Sequence, residues 1–500
     1  MNFSETILIH AEGTGKMKNR TLIAIIAVVL VGLMLNIGSS ISESSTATGN
    51  IAGIWLGSIT VPGVELRIAF EIFATKEGGY TAKMHSIDQS AMNIPVSAVT
   101  LNGDSLRLEV KSIPGAYEGK FTVDGNTIEG KWMQGGAIPL VMKRVDKLPE
   151  FNRPQTPKKP YPYNEEEVTY ENRKAGIKLA GTMTMPRGGG PFPAVVLLTG
   201  SGPQNRDEEL FSHRPFLVLA DYLTRQGIAV LRADDRGVGS STGDFSRTTT
   251  GDFADDALAG IEFLKGRKEI DPKRIGLLGH SEGGMIGPIA ATRSPDVAFL
   301  VMLAGPGQKF GDVVTFQILL GAKIQGAGEE RLTLMRSWYE RLYAILAEDT
   351  DNAVAGKKIR ELHATLSAEE KEKLGLPDSR IDGVIEGQLR PWWRYAMQYD
   401  PKVTLKKVKC PVLALNGEKD MQVNAKKNLP IIEEALKAGG NTRFTVKELP
   451  GLNHIFQTAQ TGAESEYIKI EETMSPVALQ TVADWIREQT GLKTNQKAAR

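Results

Sequence analysis

The 500-residue sequence holds a single cysteine, Cys410, so no disulfide can form within the chain. Stability has to come from buried cores, and a composition of 41% hydrophobic and 24% charged residues is sufficient for them. Six histidines and one cysteine, all scattered, offer no cluster that would hold a metal, and no cofactor is expected. Charge of either sign is not in excess: 60 Lys and Arg stand against 59 Asp and Glu, a net +1. That balance gives no electrostatic ground for nucleic acid or an anionic surface as a partner. No phosphate-binding loop occurs, and Gly237-Val-Gly239 lacks the third glycine and the helix start of a dinucleotide fingerprint. No internal repeat is found. Cys410 stands just before the apolar run 411–415, where a small buried hydrophobe at a strand start is expected rather than a reactive thiol.

One long apolar run is present. Residues 21–35 are almost all apolar, Lys16, Lys18 and Arg20 precede them, and small polar residues follow. A basic, then apolar, then small-residue order is that of a secretory signal peptide, and the apolar part is shorter than the roughly 20 residues a spanning helix needs. Residues 1–45 are therefore expected to be a signal peptide or a retained membrane anchor, with Met17 as a plausible start. The protein is expected to be exported, periplasmic or secreted, or held at a membrane through residues 21–42. No cysteine follows the run, so a lipid anchor is not expected. The missing disulfide framework would by itself favour the cytosol, and the N-terminus argues against that.

Two shifts in pattern divide the rest. Residues 50–146 read as short alternating strands, among them 54–60, 64–70, 105–110 and 117–123. Asn102-Gly103-Asp104 and Asp124-Gly125-Asn126 read as hairpin turns between such runs. An antiparallel barrel or sandwich of about eight strands is predicted. Residues 147–165 are proline-rich and polar, the composition of a semi-rigid linker. From 166 to 490, β-branched apolar runs (193–198, 228–232, 274–278, 297–303, 411–415, 444–449) alternate with helical stretches. Strands apolar on both faces between helices predict a mostly parallel, doubly wound α/β sheet. A helix-rich insertion at about 307–400 interrupts the alternation and reads as a cap; residues 491–500 are a tail.

The chemistry centres on Gly279-His280-Ser281-Glu282-Gly283, which follows the apolar strand 275–278 and opens a helix. A G-x-S-x-G pattern alone is weak, but on a strand-to-helix turn it raises a serine hydroxyl above the sheet edge, with glycines where side chains would strike neighbouring backbone. Serine is a poor nucleophile without a base. Of the six histidines, His10 lies in the N-terminal segment, His85 in the β-rich region, His213 before the motif, and His280 beside the serine with its ring directed elsewhere. His363 falls in a charged helical stretch and is expected to face solvent. His454 lies in a loop just after the last predicted strand, where a base belongs. Asp420, in the turn after 411–415, is the candidate acid, with Glu418 as its rival. Two backbone N–H groups are needed for an oxyanion: Glu282 supplies one, and the loop Thr199-Gly-Ser-Gly-Pro203 the other, from Ser201 or alternatively Gly202.

Five segments, Thr199–Glu208, Asp235–Gly243, Gly279–Gly284, Gly417–Val423 and Leu452–Phe456, occur in an order that resembles the α/β-hydrolase superfamily and, more narrowly, the EstD-type bacterial esterases. The resemblance covers most of the chain after the N-terminal segment. It implies an α/β-hydrolase fold behind a small all-β domain, and a carboxylesterase for short acyl chains acting on a small-molecule ester with Ser281, Asp420 and His454 as triad. Asp235 and Arg236 are expected to brace the loop near the site. Related domains carry a serine-aminopeptidase label, so a peptidase is the nearest alternative, with Glu329 or Glu340 as candidate amine-binding acids; thioesterases and deacetylases share the same machinery. The β-rich domain is alternatively a binding module, with Trp55 and Trp132 on a docking face or in its core. Trp392, Trp393, Tyr395 and Tyr399 either wall an acyl pocket or fill the cap. Residues 166–490 are expected to fold and to hydrolyse esters alone.

Overall fold

The computed structural model describes residues 50–492 apart from 62, 63 and 90, and the expected signal or anchor, Met17 and residues 493–500 lie outside them. The described residues form two compact units that meet in sequence between Asn152 and Arg153. No helix among them is long and apolar enough to cross a membrane.

The first unit is a single antiparallel sheet of nine strands: β1 (Gly53–Val61), β2 (Val64–Ala74), β3 (Tyr80–Ser86), β4 (Ala91–Pro95), β5 (Ala98–Asn102), β6 (Ser105–Val110), β7 (Gly115–Phe121), β8 (Thr127–Met133) and β9 (Ala137–Val145). Their order is β4-β3-β2-β1-β9-β8-β7-β6-β5. The two edge strands are thus neighbours in sequence, and the residues between them bridge the edges: Val96 N–H donates to Ala82 and Ser97 N–H to Glu109. The sheet curls into a half-barrel rather than pairing with a second sheet as a sandwich would. Both expected hairpin turns carry glycine where φ is positive, +60° at Gly103 and +68° at Gly125. The concave side is packed solid. Trp55, Phe70, Tyr117 and Trp132 are fully buried there, so the two tryptophans are core and not a docking face. Their polar atoms are satisfied locally: Trp55 Nε1 donates to Ile51, and Tyr117 Oη lies 3.1 Å from the Ile128 carbonyl.

The second unit carries an eight-stranded sheet: β10 (Asn164–Asn172), β11 (Ile177–Met185), β12 (Phe192–Leu198), β13 (Ala229–Ala233), β14 (Ile270–His280), β15 (Leu300–Leu303), β16 (Val412–Gly417) and β17 (Phe444–Leu449). The order is β10-β11-β13-β12-β14-β15-β16-β17. Pairing is parallel from β13 onward, and β10 and β11 close one edge antiparallel. Helices α1 (Pro215–Arg225), α2 (Thr250–Lys265) and α3 (Gly283–Arg293) connect the central strands. A Thr249–Asp252 capping box starts α2. Six helices then interrupt the sheet between β15 and β16: α4 (Phe310–Ile324), α5 (Glu329–Glu348), α6 (Asn352–Ala364), α7 (Ala368–Leu374), α8 (Ile381–Gln388) and α9 (Pro391–Gln398). They form a cap with an apolar core of its own. Short α10 (Pro401–Leu405) leads back to β16; α11 (Ala425–Ala438) follows β16, and α12 (Glu464–Tyr467) and α13 (Pro476–Thr490) complete the unit.

The proline-rich segment is not free chain from Arg153 onward. The Arg153 guanidinium donates to the carbonyls of Phe211, Ile468 and Ile470, Gln155 is bonded to Met474, and Tyr163 Oη donates to Asp221 at 2.9 Å. β10, which begins at Asn164, was hidden from a search for apolar runs by its sequence NEEEVTYEN. These contacts give a prediction. A fragment 153–492 should fold and melt as one cooperative unit. One beginning at 166 should melt several degrees lower, since it loses the buried Arg153 contacts, each worth about 1 kcal/mol or more, and the first residues of β10. Equal thermal midpoints for the two fragments, by circular dichroism, would show that the segment contributes nothing.

Candidate active site

Ser281 occupies the turn between β14 and α3 with φ of +53°, a left-handed conformation rare for serine. The turn is held by Ser281 N–H donating to Leu303 at 2.8 Å. The two glycines are required for close approach rather than for φ. A Cβ on Gly279 would overlap the Gly283 carbonyl, and one on Gly283 would overlap that of Leu198. The turn therefore closes only if both side chains are hydrogen.

The structure brings Ser281, His454 and Asp420 together from three separate loops. His454 Nε2 lies 3.1 Å from Ser281 Oγ, and His454 Nδ1 lies 2.8 Å from Asp420 Oδ2. Asp420 Oδ1 accepts from the N–H groups of Gln422 and Val423, both at 2.8 Å, which turns Oδ2 toward the imidazole. With a carboxylate on Nδ1, the proton belongs on that nitrogen and Nε2 is left as an acceptor for the serine hydroxyl. Asp420 and His454 are 2% and 3% exposed, so the pair works in a low-dielectric setting. Glu418, the rival acid, faces elsewhere and accepts the Gly451 N–H. His363 is not solvent-facing as its charged helix suggested. It is buried, donates from Nε2 to the Leu376 carbonyl at 2.8 Å and packs edge-on against Trp338. The charged residues around it occupy the outer face of α6, while His363 falls on the apolar stripe with Ile359.

Ser201 and Glu282 both line the cleft at Ser281. Neither backbone N–H is used in an internal hydrogen bond among the described residues, whereas the Gly200 N–H is taken by Glu208 Oε1 at 2.6 Å. The loop that carries Ser201 is fixed at both ends by Asp235, which accepts from Thr199 Oγ1 at 2.7 Å and from Gln204 N–H at 2.9 Å. Burial raises the Asp235 carboxyl to about 8 against the pull of those two donors. Arg236 points the other way, into a buried pair with Asp256.

The cleft spans about 630 Å³, open solvent at its mouth included. Met285, Phe310, Val313, Val314, Trp392 and Trp393 make its apolar wall, so the cap supplies most of it. Tyr395 and Tyr399 do not reach the cleft and pack on the sheet's core instead. Glu329 and Glu340 are exposed and absent from the lining. The acid that does line it is Glu282, which sequence reasoning used only for its N–H. Its Oε1 accepts from both Thr250 Oγ1 and Trp392 Nε1 at 2.7 Å, joining the elbow to the cap. Burial raises this carboxyl, and the two donors oppose the rise. No motif in the sequence announces a contact spanning 110 positions. Cys410 is partly buried, and burial pushes its thiol up to about 11, away from reactivity. Among the described residues no group of His, Cys, Asp and Glu is arranged to hold a metal ion.

A mostly parallel sheet in this strand order, with a serine raised on the turn after β14 and its partners following in the order Asp, His, is that of an α/β-hydrolase. The family model described as X-Pro dipeptidyl-peptidase (S15 family) matches residues 175–446, more than half of the chain. The chain belongs to that family, and it is a hydrolytic enzyme. Esterase EstD of Thermotoga maritima is 27% identical over 341 residues, 67% of this chain and 70% of the relative. An uncharacterized protein of Mycobacterium tuberculosis is 32% identical over 126 residues, 25% of this chain and 41% of that one. Among solved structures, Est1E from Butyrivibrio proteoclasticus overlaps 65% of this chain and 99% of its own, with 16% identity and a TM-score of 0.39. The Pyrococcus furiosus esterase Pf2001 overlaps 66% and 93%, with 17% identity and a TM-score of 0.37.

Proposed function

We propose that the protein is a serine esterase that cleaves small carboxylic esters with short acyl groups through an acyl-enzyme. The observation that carries this reading is the hydrogen-bonded chain Ser281–His454–Asp420 opening onto an apolar cleft. In the first half-reaction His454 Nε2 takes the Ser281 proton as Oγ attacks the ester carbonyl carbon. Asp420 steadies the imidazolium that forms, and the N–H groups of Ser201 and Glu282 receive the developing oxyanion. Collapse expels the alcohol, which takes its proton from His454. Water then attacks the acyl-enzyme by the same route in reverse, releasing the carboxylic acid and free Ser281. The wall of Met285, Val313, Val314 and Trp393 suits a hydrocarbon acyl chain, and the preference for a short one follows the resemblance to EstD-type esterases. The name of the Thermotoga relative supports an ester as substrate.

Peptide hydrolysis is the second reading, favoured by the description of the family model. It needs a group to hold a substrate amine, and Glu282, with Oε1 already committed to Thr250 and Trp392, is the acid nearest that role. Export by way of residues 16–35, with the segment cleaved or kept as an anchor, belongs to the same proposal and rests on the sequence pattern alone. The discriminating measurement compares p-nitrophenyl acetate, butyrate and palmitate with an aminoacyl p-nitroanilide, in wild type and in His454→Ala. Acetate and butyrate should be cleaved at least about 10-fold faster than palmitate, the anilide hardly at all, and the variant should lose about 10³-fold or more. Efficient cleavage of the anilide would move the protein to the peptidases.

A further inference from the structure

His280 is buried and precedes Ser281, yet the reaction above gives it no task. Its Nε2 lies 3.0 Å from the carbonyl oxygen of His454. A carbonyl oxygen only accepts, so Nε2 carries a proton. Its Nδ1 lies 2.9 Å from Glu208 Oε1, and the same oxygen accepts the Gly200 N–H at 2.6 Å. Oε1 already accepts a backbone N–H, as a carboxylate oxygen does and the hydroxyl of a carboxylic acid does poorly, so the proton in its contact with Nδ1 belongs to the nitrogen. A neutral imidazole has one N–H and could serve only one of these two acceptors.

We propose that His280 is a standing imidazolium, paired with Glu208, and that the two are positioning residues. They tie the loop bearing Ser201 and the loop bearing His454 to the elbow between them. The connection is continuous: Gly200 N–H to Glu208, Glu208 to His280, and His280 to the carbonyl of His454 itself. The Ser201 loop, the elbow and His454 are therefore registered to one buried ion pair. The charges that face His280 are Glu208, on the loop after β12, and Asp420, on the turn after β16; the His454 ring lies across from it at 4.9 Å, and the edge of Phe456 closes the remaining side. Burial alone would strip the proton from His280, but the Glu208 carboxylate and the His454 carbonyl reverse that and leave its pKa above the ordinary value. A second consequence is electrostatic: a fixed positive charge this close to His454 resists the arrival of another one.

The inference rests on the esterase reading for its catalytic meaning, but the two fail separately. Nitrogen-15 histidine spectra of the wild-type protein, recorded from pH 6 to 9, test the charge directly. One histidine, identified by its loss in His280→Gln, should keep both ring nitrogens protonated to higher pH than the other histidines do, the direction in which Glu208 and the His454 carbonyl move it. A His280 that loses a ring proton together with, or before, the other histidines overturns the proposal while leaving the dependence of activity on His454 intact. Conversely, a His454→Ala enzyme with normal turnover would sink the esterase mechanism without altering these spectra. Kinetics supply the second arm. Glu208→Gln and His280→Gln should each lower kcat roughly 10- to 100-fold with little change in KM, the pattern of a misaligned reacting group. His280→Gln should also move the acid limb of kcat/KM upward, because the neighbouring positive charge is gone, and Glu208→Gln should do the same once His280, without its carboxylate, gives up its proton. A merely structural role would lower stability and leave that limb in place, and an unmoved limb with normal kcat counts against the proposal. Should either variant fail to fold, the wild-type spectra still decide, with the His280 ring then assigned through its own backbone resonances.

Discussion

Ser281→Ala should lower kcat for p-nitrophenyl butyrate by about 10⁴-fold or more while the fold and the thermal midpoint stay close to wild type. The two halves of this expectation come from different features. Loss of Oγ removes the only atom placed to form the acyl-enzyme, and it leaves His454 and Asp420 with nothing to activate. Alanine keeps the Cβ, so the strain of a φ of +53° is the same before and after, and the hydrogen bond from residue 281 N–H to Leu303 is untouched. The serine hydroxyl has one side-chain partner, His454, which loses little by its removal in a cleft open to water. Residual hydrolysis over the background, from the N–H groups of Ser201 and Glu282 and from substrate binding, is the expected floor. Turnover near wild type would refute the mechanism outright.

Gly279→Ala should do the reverse and damage the architecture first. Its added methyl falls on the carbonyl of Gly283, which is backbone and belongs to the first turn of α3. No flexible side chain can move aside. The options are to unwind the start of α3 or to displace β14 from its parallel pairing with β12 and β15, and both lie in the centre of the sheet. A loss on the order of 3–5 kcal/mol is expected, with activity lost in proportion to the displacement of Ser281. Thermal unfolding followed by circular dichroism reads this directly. A variant that melts with wild type would mean that the turn has room the structure does not show. Side by side, the two substitutions separate the chemistry of the elbow from its construction.

Much of this was legible in the sequence because the relevant signals are local. β14, the elbow and α3 are consecutive, and strand, G-x-S-x-G and helix announce one another between Ile270 and Arg293. His454 and Asp420 were reached because each follows an apolar strand directly and because so few histidines compete. What escaped was set by tertiary partners. β10 carries four acidic residues and reads as surface, yet it pairs along its whole length with β11. His363 was misjudged because a helix shows solvent and core on alternate faces, and its neighbours in sequence are not its neighbours in space. The half-barrel and the sandwich share one strand pattern and differ only in whether the edges approach each other. The Glu208–His280 pair joins positions 72 residues apart and leaves no periodic trace.

The bond from Trp392 to Glu282 bears on how such an enzyme could change over evolutionary time. Cap helices are the natural place for a lineage to explore new substrates, since they line the cleft without belonging to the sheet. Here that freedom is curtailed at one point. The residue that forms part of the wall also anchors the side chain of Glu282, whose own N–H is the proposed oxyanion donor. Any inherited change at Trp392 alters substrate fit and the elbow in a single step, so new specificity at this wall has to arise together with a replacement partner for Glu282, or from Phe310, Val313 and Trp393, which carry no such second duty.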